Sequence, residues 1–265
     1  AFGFTGFNRN YGFDGKFNFA SNYYLTFQIL QNNTKEINDT NFKYNSLKNF
    51  RFDDNKYTAL LDGESYSGSN VYLSFNRNAR NWSFYSEYFF QAPTVRRDNG
   101  FIQRNNFHQL FMQQEYNFYP ENFFLRRIDP ELNFEVQYDM NGKLMEEYFE
   151  LNLVKEWSNG LWTAIGYTLV NNQLYDEIYH KNVNTWHLNL EANNLSKMLT
   201  GGFSYEGGNY IVKFEYPSYV GFGHNISVYG TLKPFDQLRN DLNFSYSELA
   251  RERGGELLYA GYVLS

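Results

Sequence analysis

Between Pro130 and Ile165 the chain alternates apolar and polar residues almost without a break. Leu132, Phe134, Val136, Tyr138 and Met140 fall in one phase, and Glu131, Asn133, Glu135, Gln137 and Asp139 in the other. A period of two is the side-chain period of a β-strand, whose successive Cβ atoms point to opposite faces. Asn141-Gly142 follows, a pair that readily takes the positive φ angles of a tight hairpin turn. The next strand carries Phe149, Leu151, Leu153 and Trp157 against Glu146, Tyr148, Glu150, Asn152 and Glu156. Ser158-Asn159-Gly160 turns the chain once more, into 161–167. Three long antiparallel strands in an up-and-down meander are thus written into this stretch.

The same texture runs from end to end without a linker, which predicts one all-β domain over 1–265. Strands are expected at 13–19 and 23–29 around a turn at Ser21-Asn22, then at 57–68. A turn at Ser69-Asn70 leads into Val71, Leu73 and Phe75, and Arg80-Asn81 turns into 82–90. The pattern resumes at Leu110 to Phe118, and after Asn122 the chain re-enters at Phe123. Later strands are expected at 186–193, 199–205, 211–216, 221–232, 242–246 and 257–264, with a turn at Gly207-Gly208. The spacing predicts about twelve to fourteen strands. Polar excursions at 31–56, 92–106 and 171–184 are long, whereas the connections near Asn22, Asn70, Asn81, Asn122, Asn141 and Asn159 are short. Up-and-down connectivity is expected to place the long loops at one end and most of the short turns at the other.

Two architectures alternate in this way, a soluble β-sandwich and a membrane barrel. The sandwich hides its apolar face against a second sheet. The barrel turns that face to lipid and its polar face to the lumen, with strands of about 9–11 residues and aromatic girdles at both interfaces. Three features favour the barrel. Many segments exceed the usual strand length of about 5–6 residues. Trp82, Trp157, Trp162 and Trp186 lie near strand ends. Polar residues fill the second phase of nearly every strand, so that a chain with 24 Tyr and 27 Phe still has a mean hydropathy of −0.62. Leu132, Phe134, Val136, Leu151 and Leu153 are expected to face lipid. Glu131, Glu135, Glu146, Glu150, Asn152, His187, Asn189 and Glu191 are expected to line one polar interior, where Tyr72, Tyr85, Tyr148 and Tyr229 supply bulk.

A net charge of −6 and a pI near 5.3 argue against nucleic-acid binding, which calls for a basic surface. No apolar run approaches a spanning helix. The sequence opens without Met or a signal segment, which reads as a mature exported product or a fragment. The absence of cysteine removes disulfides and thiolate metal sites.

Little else points to chemistry. His108, His180, His187 and His224 have no sequence neighbours at metal-ligand spacing, and no Ser/His/Asp motif surrounds them. The carboxylate pairs Glu146-Glu147 and Glu131 with Glu135 fit a hydrated wall as well as they fit a glycosidase. Asp53-Asp54 and Asp98 lack the pattern of a calcium loop. Gly201-Gly202, Gly207-Gly208 and Gly254-Gly255 precede no helix and so cradle no phosphate. No catalytic residue, metal or cofactor is expected. Arg96, Arg97 and Arg104 form a basic loop cluster that, folded inward, would give a pore anion preference.

The run Ala92-Pro93-Thr94-Val95-Arg96-Arg97-Asp98-Asn99-Gly100-Phe101-Ile102-Gln103-Arg104-Asn105 resembles the loop-and-strand motif of a predicted outer-membrane β-barrel family of unknown function, in which a Gly-Phe-hydrophobic-x-Arg core follows an Arg- and Asp-containing stretch. Asn10-Tyr11-Gly12-Phe13-Asp14, feeding a strand pair, is similar too. The resemblance implies a barrel that usually lies behind an N-terminal carbohydrate-binding-like β-sandwich. This chain would then hold the barrel portion only and lack the last strands, since Gly261-Tyr262-Val263-Leu264-Ser265 does not end on the aromatic residue of many such barrels.

The expectation is therefore an antiparallel up-and-down transmembrane β-barrel, or part of a larger one, in the outer membrane of a Gram-negative bacterium. Its role would be that of a non-enzymatic pore or an envelope scaffold. Its partners would be outer-membrane lipid, lipopolysaccharide and, for a scaffold, other envelope proteins. The alternatives are a barrel enzyme acting on lipid or glycan and a soluble aromatic-rich binding sandwich.

Overall fold

The computed structural model describes residues 6–39, 50–96, 104–121, 124–192, 198–235 and 237–265. Every regular element among them is a strand: β1 (Phe7–Phe19), β2 (Tyr23–Lys35), β3 (Arg51–Phe52), β4 (Tyr57–Thr58), β5 (Ser65–Asn78), β6 (Trp82–Gln91), β7 (Phe107–Tyr116), β8 (Leu125–Tyr138), β9 (Leu144–Trp157), β10 (Leu161–Tyr175), β11 (Ile178–His180), β12 (Thr185–Ala192), β13 (Leu199–Val212), β14 (Tyr219–Phe235), β15 (Leu238–Ala250) and β16 (Leu257–Leu264). Fourteen of them form one antiparallel up-and-down sheet in the order β1-β2-β5-β6-β7-β8-β9-β10-β12-β13-β14-β15-β16, with β11 paired to β10; β3 and β4 form a separate hairpin. The expected all-β meander and strand number are present. A closed barrel is not, because β1 and β16 end the strand order without pairing to each other.

By this connectivity successive links alternate between the two strand ends. Within the first unit the links that leave β2 and β6 therefore lie at one strand end and the turn holding Asn22 at the other; within the second, link 176–184 lies at the strand end opposite the turn holding Asn159. The short turn at Asn141 is one of those that belong with the long loops. There Asp139 Oδ1 accepts from the backbone N–H of Asn141 (2.9 Å) and Lys143 (2.8 Å), and Gly142 takes a φ of +79°. Asn122 and Phe123, like 40–49, 97–103 and 193–197, lie outside the described residues.

Several expected breaks are continuous strand. Ser69-Asn70 lies inside β5, where Ser69 pairs with Gln31 and Asn70 with Leu30. Of the expected 57–68 strand only the two residues of β4 and the start of β5 are extended. Asn171-Asn172 remains in β10, opposite Tyr148 and Glu147. Gly207-Gly208 lies inside β13, which ends at Val212 and so cuts short the strand expected at 211–216. A Cβ on Gly207 would crowd the Tyr205 hydroxyl and His224 Nδ1. Gly there makes room for rings within a strand, a use of Gly as common as turning.

The chain packs as two compact units, one of 1–77, 85–111 and 136–144 and the other of 78–84, 112–135 and 145–265. In the first, β1, β2 and β5 pair in register over their whole lengths. Tyr66, Gly68, Asn70 and Ser74 of β5 are buried, whereas Ser65, Ser67 and Leu73 in the other phase are exposed. In the second, β9, β10 and β12 repeat the pattern. Glu150 and Thr168 face each other at 9% and 2% exposure, whereas Leu151 and Tyr167, one residue away on their strands, are 44% and 48% exposed. Among the described residues, buried polar side chains outnumber buried apolar ones, and Phe, Tyr, Leu and Ile dominate the exposed large hydrophobics. Water-soluble folds bury the other phase. The expected apolar residues Leu132, Phe134, Val136, Leu151 and Leu153 each occupy the strand phase opposite the carboxylates.

Gly166 shows how closely the polar phase is fitted. It pairs with Asn152 on β9 and His187 on β12, and a Cβ there would overlap Asn152 Oδ1 and the His187 ring. Gly166→Ala is therefore expected to destabilise by about 1–3 kcal/mol, the usual cost of overpacking. Gly230→Ala, where the nearest atom is Thr200 O at 3.9 Å, is expected to be near neutral. Denaturant unfolding of the two variants side by side checks this.

Candidate functional site

Antiparallel register carries the polar phase from strand to strand. In the second unit one row runs Asn152, Gly166, His187, Glu206, Asn225 and Ser247 across β9, β10, β12, β13, β14 and β15. The next row places Asn189 between Ala164 and Ser204, and a third places Glu191 between Trp162 and Gly202. Trp162 thus shares the polar phase with Glu191, whereas Trp157 and Trp186 lie in the apolar phase.

Glu150 is the hub of this face. Its Oε2 accepts from Asn133 Nδ2 (3.1 Å) and Asn152 Nδ2 (2.9 Å), and its Oε1 lies 3.6 Å from His187 Nδ1. The Asn133 bond brings in β8, so that Glu131 and Glu135, in phase with Asn133, join the same face. Glu131 feels the charges of Glu115, Asp129 and Glu150, offset by Arg127, which pairs with Asp129 at 2.8 Å. Tyr210 OH donates to Glu206 Oε1 (2.8 Å) and accepts from Asn225 Nδ2 (3.2 Å). Glu146 shares the phase of Glu150 but pairs with Gln173 beyond a register shift at Thr168/Val170. Glu131, Glu135, Glu146, Glu150, Asn152, His187, Asn189 and Glu191 therefore fall in the polar phase of their strands.

The histidines gain through the fold the partners that sequence withholds. Besides His187, His224 contacts the Tyr205 hydroxyl and lies 3.8 Å from Glu248. His108 packs against the rings of Tyr88 and Tyr138. His180 Nε2 sits 3.0 Å from Ser218 Oγ, a nucleophile-to-base distance. Both of those residues are buried, and their bond ties β11 to the 213–218 connection.

In the first unit the polar face carries an inserted segment. Thr94 Oγ1 donates to Ser67 O (2.6 Å), Ala92 N to Ser69 O (3.0 Å), Arg96 N to Asn32 Oδ1 (3.3 Å), and Asn8 Nδ2 to Arg96 O (3.1 Å). These bonds seat 92–96 across β1, β2 and β5. Gly68 permits the approach, because a Cβ there would lie 2.7 Å from Val95 N and 2.8 Å from the Thr94 carbonyl carbon.

Arg96 donates from Nη1 to Glu36 Oε1 (2.8 Å) and Tyr66 OH (3.0 Å), and Tyr66 OH donates to the same Oε1 at 3.0 Å. Arg104 Nη1 donates to Gln137 Oε1 (2.7 Å). Arg97 lies outside the described residues. The expected basic cluster is thus not a bare patch: Arg96 and Arg104 bond to separate partners along a cleft of about 590 Å³ that also exposes Phe50, Phe52, Asp53 and Asn105. Sequence gave no local sign of Glu36, which looks like one more acid in a polar loop until the β2–β5 pairing sets it beside Tyr66.

Glu36 follows the end of β2, and burial pushes its carboxyl above the ordinary range against the opposing pull of Tyr66 and Arg96. A raised acid binds its proton more tightly in the folded state. Its contribution is fully present below the unfolded value and is lost as pH rises through the folded one. Amide exchange at 36–39 and 61–64 is therefore expected to be slower near about pH 5 than near about pH 8 after correction for intrinsic rates, and Glu36→Gln is expected to remove the difference.

Comparison with family models, curated proteins and solved structures finds no match to this chain.

Proposed function

We propose that this chain is an integral outer-membrane β-barrel protein of a Gram-negative bacterium, without enzymatic activity, whose polar face lines a hydrated lumen that conducts cations. The observation that carries the reading is the inverted sheet: apolar side chains exposed, carboxylates and amides buried, on strands of ten residues or more in most of the meander. Such strands reach or exceed the roughly 9–11 residues that cross a bilayer, and hydrocarbon accepts them only when every backbone group is paired. The open edges of β1 and β16 must then acquire partners in the membrane, as in a larger barrel. The resemblance of 92–105 to a predicted outer-membrane family supports the same reading. The apolar phase would meet lipid and lipopolysaccharide.

The acids Glu131, Glu135, Glu150 and Glu206 support a cation preference in any continuous aqueous path. The segment 92–96, seated on the polar face, would act as a constriction. A second reading, an occluded scaffold for other envelope proteins, is favoured by the same segment and by the Tyr72 and Tyr85 hydroxyls, which meet at 3.3 Å on that face.

Planar-bilayer recording of purified protein decides between these readings. Cation-selective steps are expected, and Gly68→Ala is expected to enlarge them by unseating 92–96. Silence at every voltage would leave the scaffold, and anion selectivity would move the credit to Arg96, Arg97 and Arg104. Phe134→Arg is expected to cost about 2–4 kcal/mol in lipid if it lies near the midplane. A protein that stays monomeric in water without detergent would reject membrane insertion.

A further inference from the structure

Beyond their last strand rung, Lys35 opposite Ser65, the chains leaving β2 and entering β5 stay paired. Glu36 N donates to Glu64 O at 2.9 Å, Asp39 N donates to Leu61 O at 3.0 Å, and Asn38 bridges Asp62. This register sets Glu36 directly across from Glu64, with Asp62 two residues along on the same side. One carboxylate oxygen from each of Glu36, Asp62 and Glu64 lies within 4.8 Å of the other two. Like charges directly opposite each other destabilise a strand pair, so the arrangement needs a counter-charge.

Arg96 supplies part of it, at Glu36 Oε1. Glu36 Oε2 is left buried with no hydrogen-bond partner, on a side chain only 2% exposed. The other two carboxylates are held by neutral donors: Thr58 N to Glu64 Oε2 and Thr58 Oγ1 to Asp62 Oδ2, both at 2.8 Å. Three carboxylates against one guanidinium leave two negative charges. An unpaired buried carboxylate oxygen is costly, and one divalent cation would satisfy both the charge and the oxygen.

We propose that Glu36, Asp62 and Glu64 form a calcium site that clamps the ends of β2 and β5. The donor set is all oxygen, as hard cations require, and exposed Asp62 leaves room for the water ligands that complete six to eight coordination positions; magnesium demands a stricter octahedron. The site lies past the strand ends and holds whether or not the strands cross a membrane. Its affinity falls in the range on the order of 10⁻⁴–10⁻³ M of extracellular calcium modules.

The test uses the whole folded protein and terbium as the probe, with Tyr66 beside the site as the light-absorbing donor. Tyrosine-excited terbium emission that millimolar calcium displaces is expected, together with a rise in melting temperature on adding calcium. Asp62→Asn and Glu64→Gln, at partly exposed positions, are each expected to weaken binding by at least the roughly tenfold that loss of an outer-shell partner costs, with an unchanged β-type circular dichroism spectrum. Emission that persists in the double variant, or no calcium-dependent melting shift in the unmodified protein, overturns the proposal and leaves a protonated Glu36 as the resolution of the charge.

Discussion

Antiparallel hydrogen bonding carries the phase of each strand to the next, and everything distinctive about this protein depends on that inheritance. A slip of one residue in any pair would move a whole set of side chains to the opposite face. In the row from Asn152 to Ser247, a slip of β12 alone would bring Trp186 or Leu188 to the place of His187, beside Glu150. Turn chemistry at Asp139–Lys143 and matched residues across each ladder hold the phase. The register shift at Thr168/Val170 is where it changes, and beyond it Asn172 and Tyr179 bond Glu147.

A face of buried polar groups is stable only if those groups bond to one another. Here short amides do most of it. Asn133 and Asn152 converge on Glu150, and Asn8, Asn32 and Thr34 bond among themselves beneath the inserted segment. Each such bond contributes a net of about 0.5–1.5 kcal/mol, less than burial of a large apolar side chain. Glycines complete the fit by giving up volume to rings and amides, as Gly166 does for His187 and Gly202 for the Tyr229 ring.

Period-two alternation made the meander and its two phases legible, because those follow from side-chain direction alone. Three kinds of feature were not legible. Asn70 and Gly207-Gly208 looked like turns because turn propensity is local, whereas their place in β5 and β13 is fixed by partners far along the chain. The Arg96–Glu36–Tyr66 contact joins residues that are 60 and 30 positions apart, a distance at which only the ladder register says who meets whom. Edge pairing was the third: strand spacing suggested closure, but spacing carries no information about whether β1 finds β16.

The proposed membrane reading rests on what covers the apolar phase. A sandwich would lay a second sheet on it. Among the described residues the only second sheet is the short β3–β4 hairpin, and its rings Phe52 and Tyr57 pack on Tyr66 at centroid distances of 5.5 and 5.2 Å. Tyr66 belongs to the buried, polar phase of β5, so the hairpin covers the face that is already bonded and leaves Leu73, in the other phase of the same strand, exposed. Exposed apolar area on this scale marks contact with lipid or with another protein surface. The regular alternation over strand after strand suits a uniform solvent such as hydrocarbon better than a partner with relief of its own, which would press its shape into the sequence as gaps in the pattern.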